Sequence, residues 1–210
     1  VTGSHVTYDP VGSMEKSKID VIVKGEQDYT TLNVINSIRD NKSLKDVKGI
    51  CYRKGEEIIN NQTAPLIEDL DELPFPDRNL IPHQWYIEGH AKYTPFTFVM
   101  TARGCPHQCS YCLWPHVYYD HKLRMRKPEK VCDELEWLIK KYGIKEVFFD
   151  DATFNVTEQR AIDISKAIIE RGIKITWSCS ARVDRVTKEM LKWMKKSGCK
   201  LICYGGESAS

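Results

Sequence analysis

The sequence predicts an α/β fold: a partial parallel βα barrel preceded by the carboxyl-terminal part of a second α/β domain. Three observations carry this. From residue 96 onward, short apolar runs alternate with segments of helical period, the pattern of parallel strands joined by helical crossovers. Residues 1–62 show one strand–helix pair and a hairpin, too little to cover a sheet on both faces. Between them, 63–95 holds five of the nine prolines (Pro65, Pro74, Pro76, Pro82, Pro95) and an acidic run across 68–72. Proline removes an amide donor and restricts its predecessor, so this stretch reads as an extended linker at the domain boundary.

Along the chain, 1–7 reads as a strand exit into a loop. Val21, Ile22 and Val23 make a short strand that ends at Lys24-Gly25-Glu26, and Leu32, Ile35 and Ile38 mark a helical face. Residues 47–53 and 57–60 form a hairpin closed around Lys54-Gly55. In the barrel part, 96–101 is the first strand and leads into a cysteine loop. Val131, Leu135, Leu138 and Tyr142 then recur at helical spacing, with Pro128 near the start and Gly143 as the stop. Residues 146–149 are the second strand. Ala161, Ile164 and Ile168 lie on a helix that Asn155 caps, with Glu158 three residues on. A third strand over 173–179, a helix over 187–196 and a fourth strand over 200–204 follow. Both domains are therefore expected to be incomplete here, and this segment alone to fall short of full catalysis.

An apolar fraction of 41% and a charged fraction of 29% are ordinary for a globular protein. The net charge of +2 gives no reason to expect nucleic acid or an anionic membrane as partner. No apolar run approaches the roughly 18 residues of a membrane span, and no signal peptide opens the chain. Of the eight cysteines, Cys105, Cys109 and Cys112 lie together, while Cys51, Cys132, Cys179, Cys199 and Cys203 fall in apolar strand or helix contexts. A tight cluster without a secretory signal points to metal rather than to disulfides, and to a reducing, cytoplasmic setting. The scattered five read as small buried hydrophobes.

The chemistry centres on Arg103-Gly104-Cys105-Pro106-His107-Gln108-Cys109-Ser110-Tyr111-Cys112, a C-x3-C-x2-C spacing. Thiolates suit zinc or iron–sulfur centres. Three in one loop can hold three corners of a four-iron cluster and leave the fourth iron open to a ligand. A structural zinc site with His107, His116 or Cys132 as fourth ligand is the alternative, although such sites usually pair two C-x2-C knuckles. Position favours the cluster, because in βα barrels the chemistry sits where strands end. The other strands end in Asp150-Asp151, in 178–182 and in Gly205-Gly206-Glu207-Ser208. Acids there suit an ammonium and ribose hydroxyls, and an arginine suits a carboxylate.

With an aromatic before its last cysteine, this loop resembles that of the radical S-adenosylmethionine (SAM) superfamily. The resemblance implies a [4Fe-4S] cluster on Cys105, Cys109 and Cys112, with SAM chelating the fourth iron. It places Tyr111 near the adenine, Asp150 and Asp151 where the SAM amino group is held, Arg182 at the SAM carboxylate and Glu207 at the ribose. The two aspartates replace the family's commoner Gly-Gly-Glu. The segments 3–7, 23–26 and 70–78 resemble the stretch that joins a Rossmann-like cobalamin-binding domain to a radical SAM core. Within the superfamily they are similar to the branch of anaerobic magnesium-protoporphyrin ester cyclases and related methyltransferases. Gly3, His5 and Glu26 would then touch cobalamin, although its usual Asp-x-His-x-x-Gly motif is absent from these residues.

The activity so implied is an oxygen-sensitive reductive cleavage of SAM that functionalises an unactivated carbon of a small molecule. Cobalamin-dependent methylation or ring formation would follow, with electrons from a donor such as flavodoxin or ferredoxin. The rival readings are a cobalamin-independent enzyme of the methylthiotransferase type and a non-catalytic zinc or iron–sulfur module. No general acid, base or hydrogen donor is identified.

Overall fold

The computed structural model describes residues 1–86 and 88–206. They form two compact units: Val1–Glu68 with Pro106–Lys122, and Asp69–Cys105 with the chain from Leu123 onward. The passage at 68–69 falls inside the proline-rich stretch.

In the first unit, Thr2 is bridged in parallel to Val23. The chain then turns into two short helices, α1 (Ser4–Tyr8), within the stretch whose sequence predicts a loop, and α2 (Pro10–Glu15). Local chemistry explains α2: the Asp9 carboxylate accepts from the Gly12 amide, and Pro10 stands in the first turn, where its missing donor costs nothing. β1 (Val21–Val23), α3 (Asp28–Arg39), β2 (Ile50–Lys54) and β3 (Glu57–Asn60) match the expected elements. The three strands form an antiparallel sheet in the order β1-β2-β3. Adjacent strand residues point to opposite faces. Val23 and Ile50 accordingly pack with Val34 and Tyr52, while Ile22 and Cys51 pack with Val6 and Met14. The helical face proposed for α3 is turned outward. Leu32, Ile35 and Ile38 are 51%, 55% and 58% exposed, and α3 buries Thr30 and Val34 instead.

The second unit contains β4 (Phe96–Val99), β5 (Ala102–Arg103), β6 (Arg124–Met125), α4 (Pro128–Tyr142), β7 (Glu146–Phe149), α5 (Glu158–Glu170), β8 (Thr176–Ala181), α6 (Lys188–Lys196) and β9 (Cys199–Tyr204). Strands β4-β7-β8-β9 pair in parallel and in chain order, as the alternating pattern predicts. Val99, Val147, Phe149, Trp177 and Cys179 pack against Leu135 and Leu138 of α4, Ile164 and Ile168 of α5 and Met190 of α6. The rings of Phe149, Phe154 and Trp177 meet with centroids 5.1–5.2 Å apart. No described helix is long and apolar enough to cross a membrane.

Three details correct the sequence reading. Thr157, not Asn155, caps α5, accepting from the Arg160 amide through its hydroxyl. Asn155 is fully buried and braces the segment after β8, donating to the carbonyls of Arg182 and Arg185 and accepting from the Arg182 amide. The third strand begins at Thr176 rather than at 173.

Among the scattered cysteines, Cys51, Cys132 and Cys179 are buried, but Cys199 and Cys203 are half-exposed on β9, which pairs only with β8 among the described residues. Burial pushes the Cys132 thiol up to about 11 and raises that of Cys51. Alkylation at pH 8 is therefore expected to modify Cys199 and Cys203 quickly and Cys51 and Cys132 slowly. Mass spectrometry of a time course checks this, and fast modification of Cys132 would contradict the packing.

Gly198, which precedes β9, has φ +106°, and a side chain there would place its Cβ 2.2 Å from the Ile175 carbonyl oxygen. Gly198→Ala is expected to lower stability by about 1–3 kcal/mol through backbone strain alone, with the clash adding to it. The shift in urea midpoint measures this.

Candidate functional site

The cysteine loop leaves the carboxyl end of β4 and returns to its base. Its stems are held by the β5–β6 ladder, which pairs Ala102 with Met125 and Arg103 with Arg124. Gly104, at φ +90°, occupies the left-handed region that favours glycine and turns the chain into Cys105. Cys105 is 8% exposed, and its Sγ lies 3.9 Å from the Thr153 hydroxyl. Cys109 and Cys112 are half-exposed, and the Cys112 amide donates to the Cys109 carbonyl at 3.1 Å. None of the three is in a disulfide.

Among the described residues no three His, Cys, Asp or Glu side chains converge on one metal ion. A cluster makes no such demand, because each thiolate binds a different iron. Three thiols in one loop, none in a disulfide and two of them half-exposed, fit that donor set.

The rim residues divide. Asp150 and Asp151 follow β7, and alternation sends them to opposite sides. Asp150 keeps an exposed side chain; partial loss of solvent, and then the charge of Glu88, raise its carboxyl above the usual range. Asp151 points inward and is 4% exposed. Its carboxylate accepts from the amides of Thr101 (2.6 Å) and Ala102 (2.9 Å) and from the Thr101 hydroxyl (2.5 Å). Burial pushes this carboxyl up, against the pull of those hydrogen bonds and of Arg160. The Asp151 carboxylate is thus engaged by the protein's own amides and hydroxyl.

Arg182 grips Asp184 with two hydrogen bonds, at 2.9 and 2.7 Å, so a carboxylate ligand would have to share that guanidinium. Tyr111 is 67% exposed. Glu207 lies outside the described residues.

In the first unit, the parallel bridge between Thr2 and Val23 sets two strand exits side by side. Gly3 and His5 follow one and Glu26 follows the other. The Thr7 hydroxyl accepts from the Gly25 amide at 3.1 Å, which ties the two segments. His5 is exposed on α1, and α1 packs against the π-helical turn Pro115–Tyr119 that follows the last cysteine. The Glu26 carboxylate accepts from the Ile67 amide at 2.7 Å.

Sequence reasoning missed a buried polar network at the stems of the loop, within the second unit. Arg160, 7% exposed, donates to the Thr101 carbonyl (2.7 Å) and hydroxyl (3.0 Å) and to the Arg126 carbonyl (3.1 Å). Arg126 donates to the carboxylate of Glu134 and to the Met100 carbonyl. Asp71 lies 3.8 Å from Arg126, and Arg78 lies 3.8 Å from Glu134. A signal was present: Arg160 sits on the same helical stripe as Ala161, Ile164 and Ile168, where a charge must find a partner.

A parallel βα sheet with a three-thiol loop at the exit of its first strand defines a class in which the strand ends hold a metal centre and its substrate. The family model of the radical SAM superfamily matches residues 99–210, and the chain belongs to that superfamily. It is 37% identical over 209 residues to the uncharacterized methyltransferase PH0819 of Pyrococcus horikoshii, an alignment covering 99% of this chain and 45% of the relative. It is 32% identical over 220 residues to the anaerobic magnesium-protoporphyrin IX monomethyl ester cyclase of Cereibacter sphaeroides, covering 99% of this chain and 35% of that protein. Among solved structures, the cobalamin-dependent SAM radical enzyme OxsB, with aqua-cobalamin and SAM bound, superposes with a TM-score of 0.77 at 24% identity, covering all of this chain and 31% of OxsB. The chain thus spans less than half the length of the curated relatives it matches.

Proposed function

We propose that the protein is a cobalamin-dependent radical SAM enzyme that methylates an unactivated carbon of a small molecule. The observation that carries this is the set of three cysteines outside any disulfide, Cys105, Cys109 and Cys112, in a loop at the carboxyl end of β4 within a superfamily match. The bound groups would supply one-electron chemistry: reductive cleavage of SAM and, from cobalamin, a transferable methyl group. The chain's own part is to hold and orient. The three thiolates hold a [4Fe-4S] cluster and leave one iron for SAM. The exposed carboxylate of Asp150 accepts from the SAM ammonium, Arg182 faces its carboxylate, and Tyr111 offers a ring to the adenine. Gly3, His5 and Glu26 line a cobalamin contact at the strand exits of the first unit.

Methylation is favoured by the likeness to the Pyrococcus methyltransferase, and cobalamin by the fold shared with OxsB. Ring formation is the second reading, favoured by the likeness to the ester cyclase. The electron donor would be a flavodoxin or ferredoxin in a reducing cytoplasm. The test is anaerobic reconstitution of the full-length protein with iron, sulfide and cobalamin, followed by reduction in the presence of SAM. Methionine release is expected from the wild type and not from Cys109→Ala; zinc bound in place of iron would overturn the reading.

A further inference from the structure

We infer that Asp151 and Arg160 form a buried clamp that fixes the two stems of the cysteine loop and so positions Cys105. The inference rests on the proposed cluster at Cys105, Cys109 and Cys112, and it gives Asp151 a role other than contacting SAM. The outgoing stem is Thr101-Ala102-Arg103, and the return stem is Arg124-Met125-Arg126. Asp151 receives both amides at the head of the outgoing stem, Thr101 and Ala102, and the Thr101 hydroxyl as well. Arg160 reaches both stems, bonding to the Thr101 carbonyl on one and the Arg126 carbonyl on the other. The Arg126 amide closes the frame by donating to the Thr101 carbonyl at 2.9 Å.

Thr101 is fully buried, so each of its polar groups needs a protein partner, and this pair supplies them. The two-residue β5–β6 ladder is too short to define the stems by itself. The segment that bears Asp151 also bears Thr153, whose hydroxyl stands 3.9 Å from the Cys105 sulfur. One strand exit therefore braces the loop at its stem and at its first thiol. Such partners of metal ligands orient the ligand without binding the metal.

The experiment compares full-length wild type, Asp151→Ala, Asp151→Asn and Thr101→Val by amide hydrogen exchange of the metal-free protein and by cluster loss to a chelator. Asp151→Ala is expected to speed exchange in the peptide spanning 101–105 while α4 and α5 keep wild-type protection. It is also expected to shed iron on the order of tenfold faster, the usual scale for such a partner. Asp151→Asn, which keeps an acceptor for both amides, should restore most of both properties and leave SAM affinity per loaded cluster unchanged. If Asp151→Ala does not fold, Thr101→Val removes only the shared hydroxyl and should shift the same peptide in the same direction. Wild-type exchange at 101–105 in every variant would overturn the clamp, as would lost SAM affinity in Asp151→Asn at normal iron content. If the wild type takes up no iron, the cluster assignment fails, and exchange in the metal-free protein still decides the clamp.

Discussion

Replacing any one of Cys105, Cys109 and Cys112 by alanine is expected to cut the iron and sulfide bound after anaerobic reconstitution from about four of each per chain to nearly none. The size of the effect follows from the donor count. With three protein thiolates and an open fourth iron there is no spare ligand, and two thiolates hold a four-iron cluster poorly against chelation by solvent and thiol. The remaining cysteines make the control. Cys51→Ala and Cys132→Ala remove buried packing thiols remote in sequence from the loop, and both should take up iron as the wild type does. Full iron in Cys109→Ala would show that another residue completes the set or that the cluster lies elsewhere.

Glu134→Ala is expected to lower stability by about 3–5 kcal/mol, because it removes one partner of a buried ion pair. Glu134 is 1% exposed on α4 and bonds to Arg126, with Arg78 3.8 Å away. Burial already lowers the pKa of Arg78, with Glu134 the leading counterweight. Without Glu134, Arg126 keeps Asp71 at 3.8 Å and two carbonyls, and Arg78 keeps the Phe98 carbonyl but loses the carboxylate 3.8 Å away. By contrast Asp40→Ala, which breaks the exposed pairs with Arg39 and Lys42, should change stability by about 1 kcal/mol or less. Urea unfolding of the two variants beside the wild type checks the difference. Equal small shifts would mean that water reaches the Arg78–Glu134–Arg126 network.

The parallel sheet was legible because buried strands such as Val147-Phe148-Phe149, and helices such as α4 with Val131, Leu135 and Leu138, carry their period in apolar residues alone. The first unit was harder for three physical reasons. Helix α1 has five residues and one buried side chain, Val6, so it shows no period at all. Leu32, Ile35 and Ile38 lie on a real helix, but three apolar residues three apart sweep around its surface, and nothing local says which side the sheet will cover. Thr2 pairs with Val23 through the backbone, which leaves no mark on side chains.

At the site, the three thiols were plain from spacing alone, and the rim of polar strand exits was plain from position. Which of two adjacent aspartates turns inward was set by the pleat, since Asp151 falls on the same side as the buried Phe149. Applying the alternation one residue beyond the strand would have separated them. The residues that brace the loop, Thr101, Arg126 and Arg160, meet only through tertiary folding, and of these only the arginine on an apolar helical stripe gave a warning.

Three thiolates would leave one iron open for SAM, and electron paramagnetic resonance of the dithionite-reduced, reconstituted full-length protein shows whether they do. Spectra recorded with and without SAM should differ in g-values, because the amino and carboxylate groups of SAM would change the ligands of one iron, and Cys109→Ala should give no such signal. A [4Fe-4S] spectrum that is identical with and without SAM would mean a closed, four-ligand centre with no iron left for SAM.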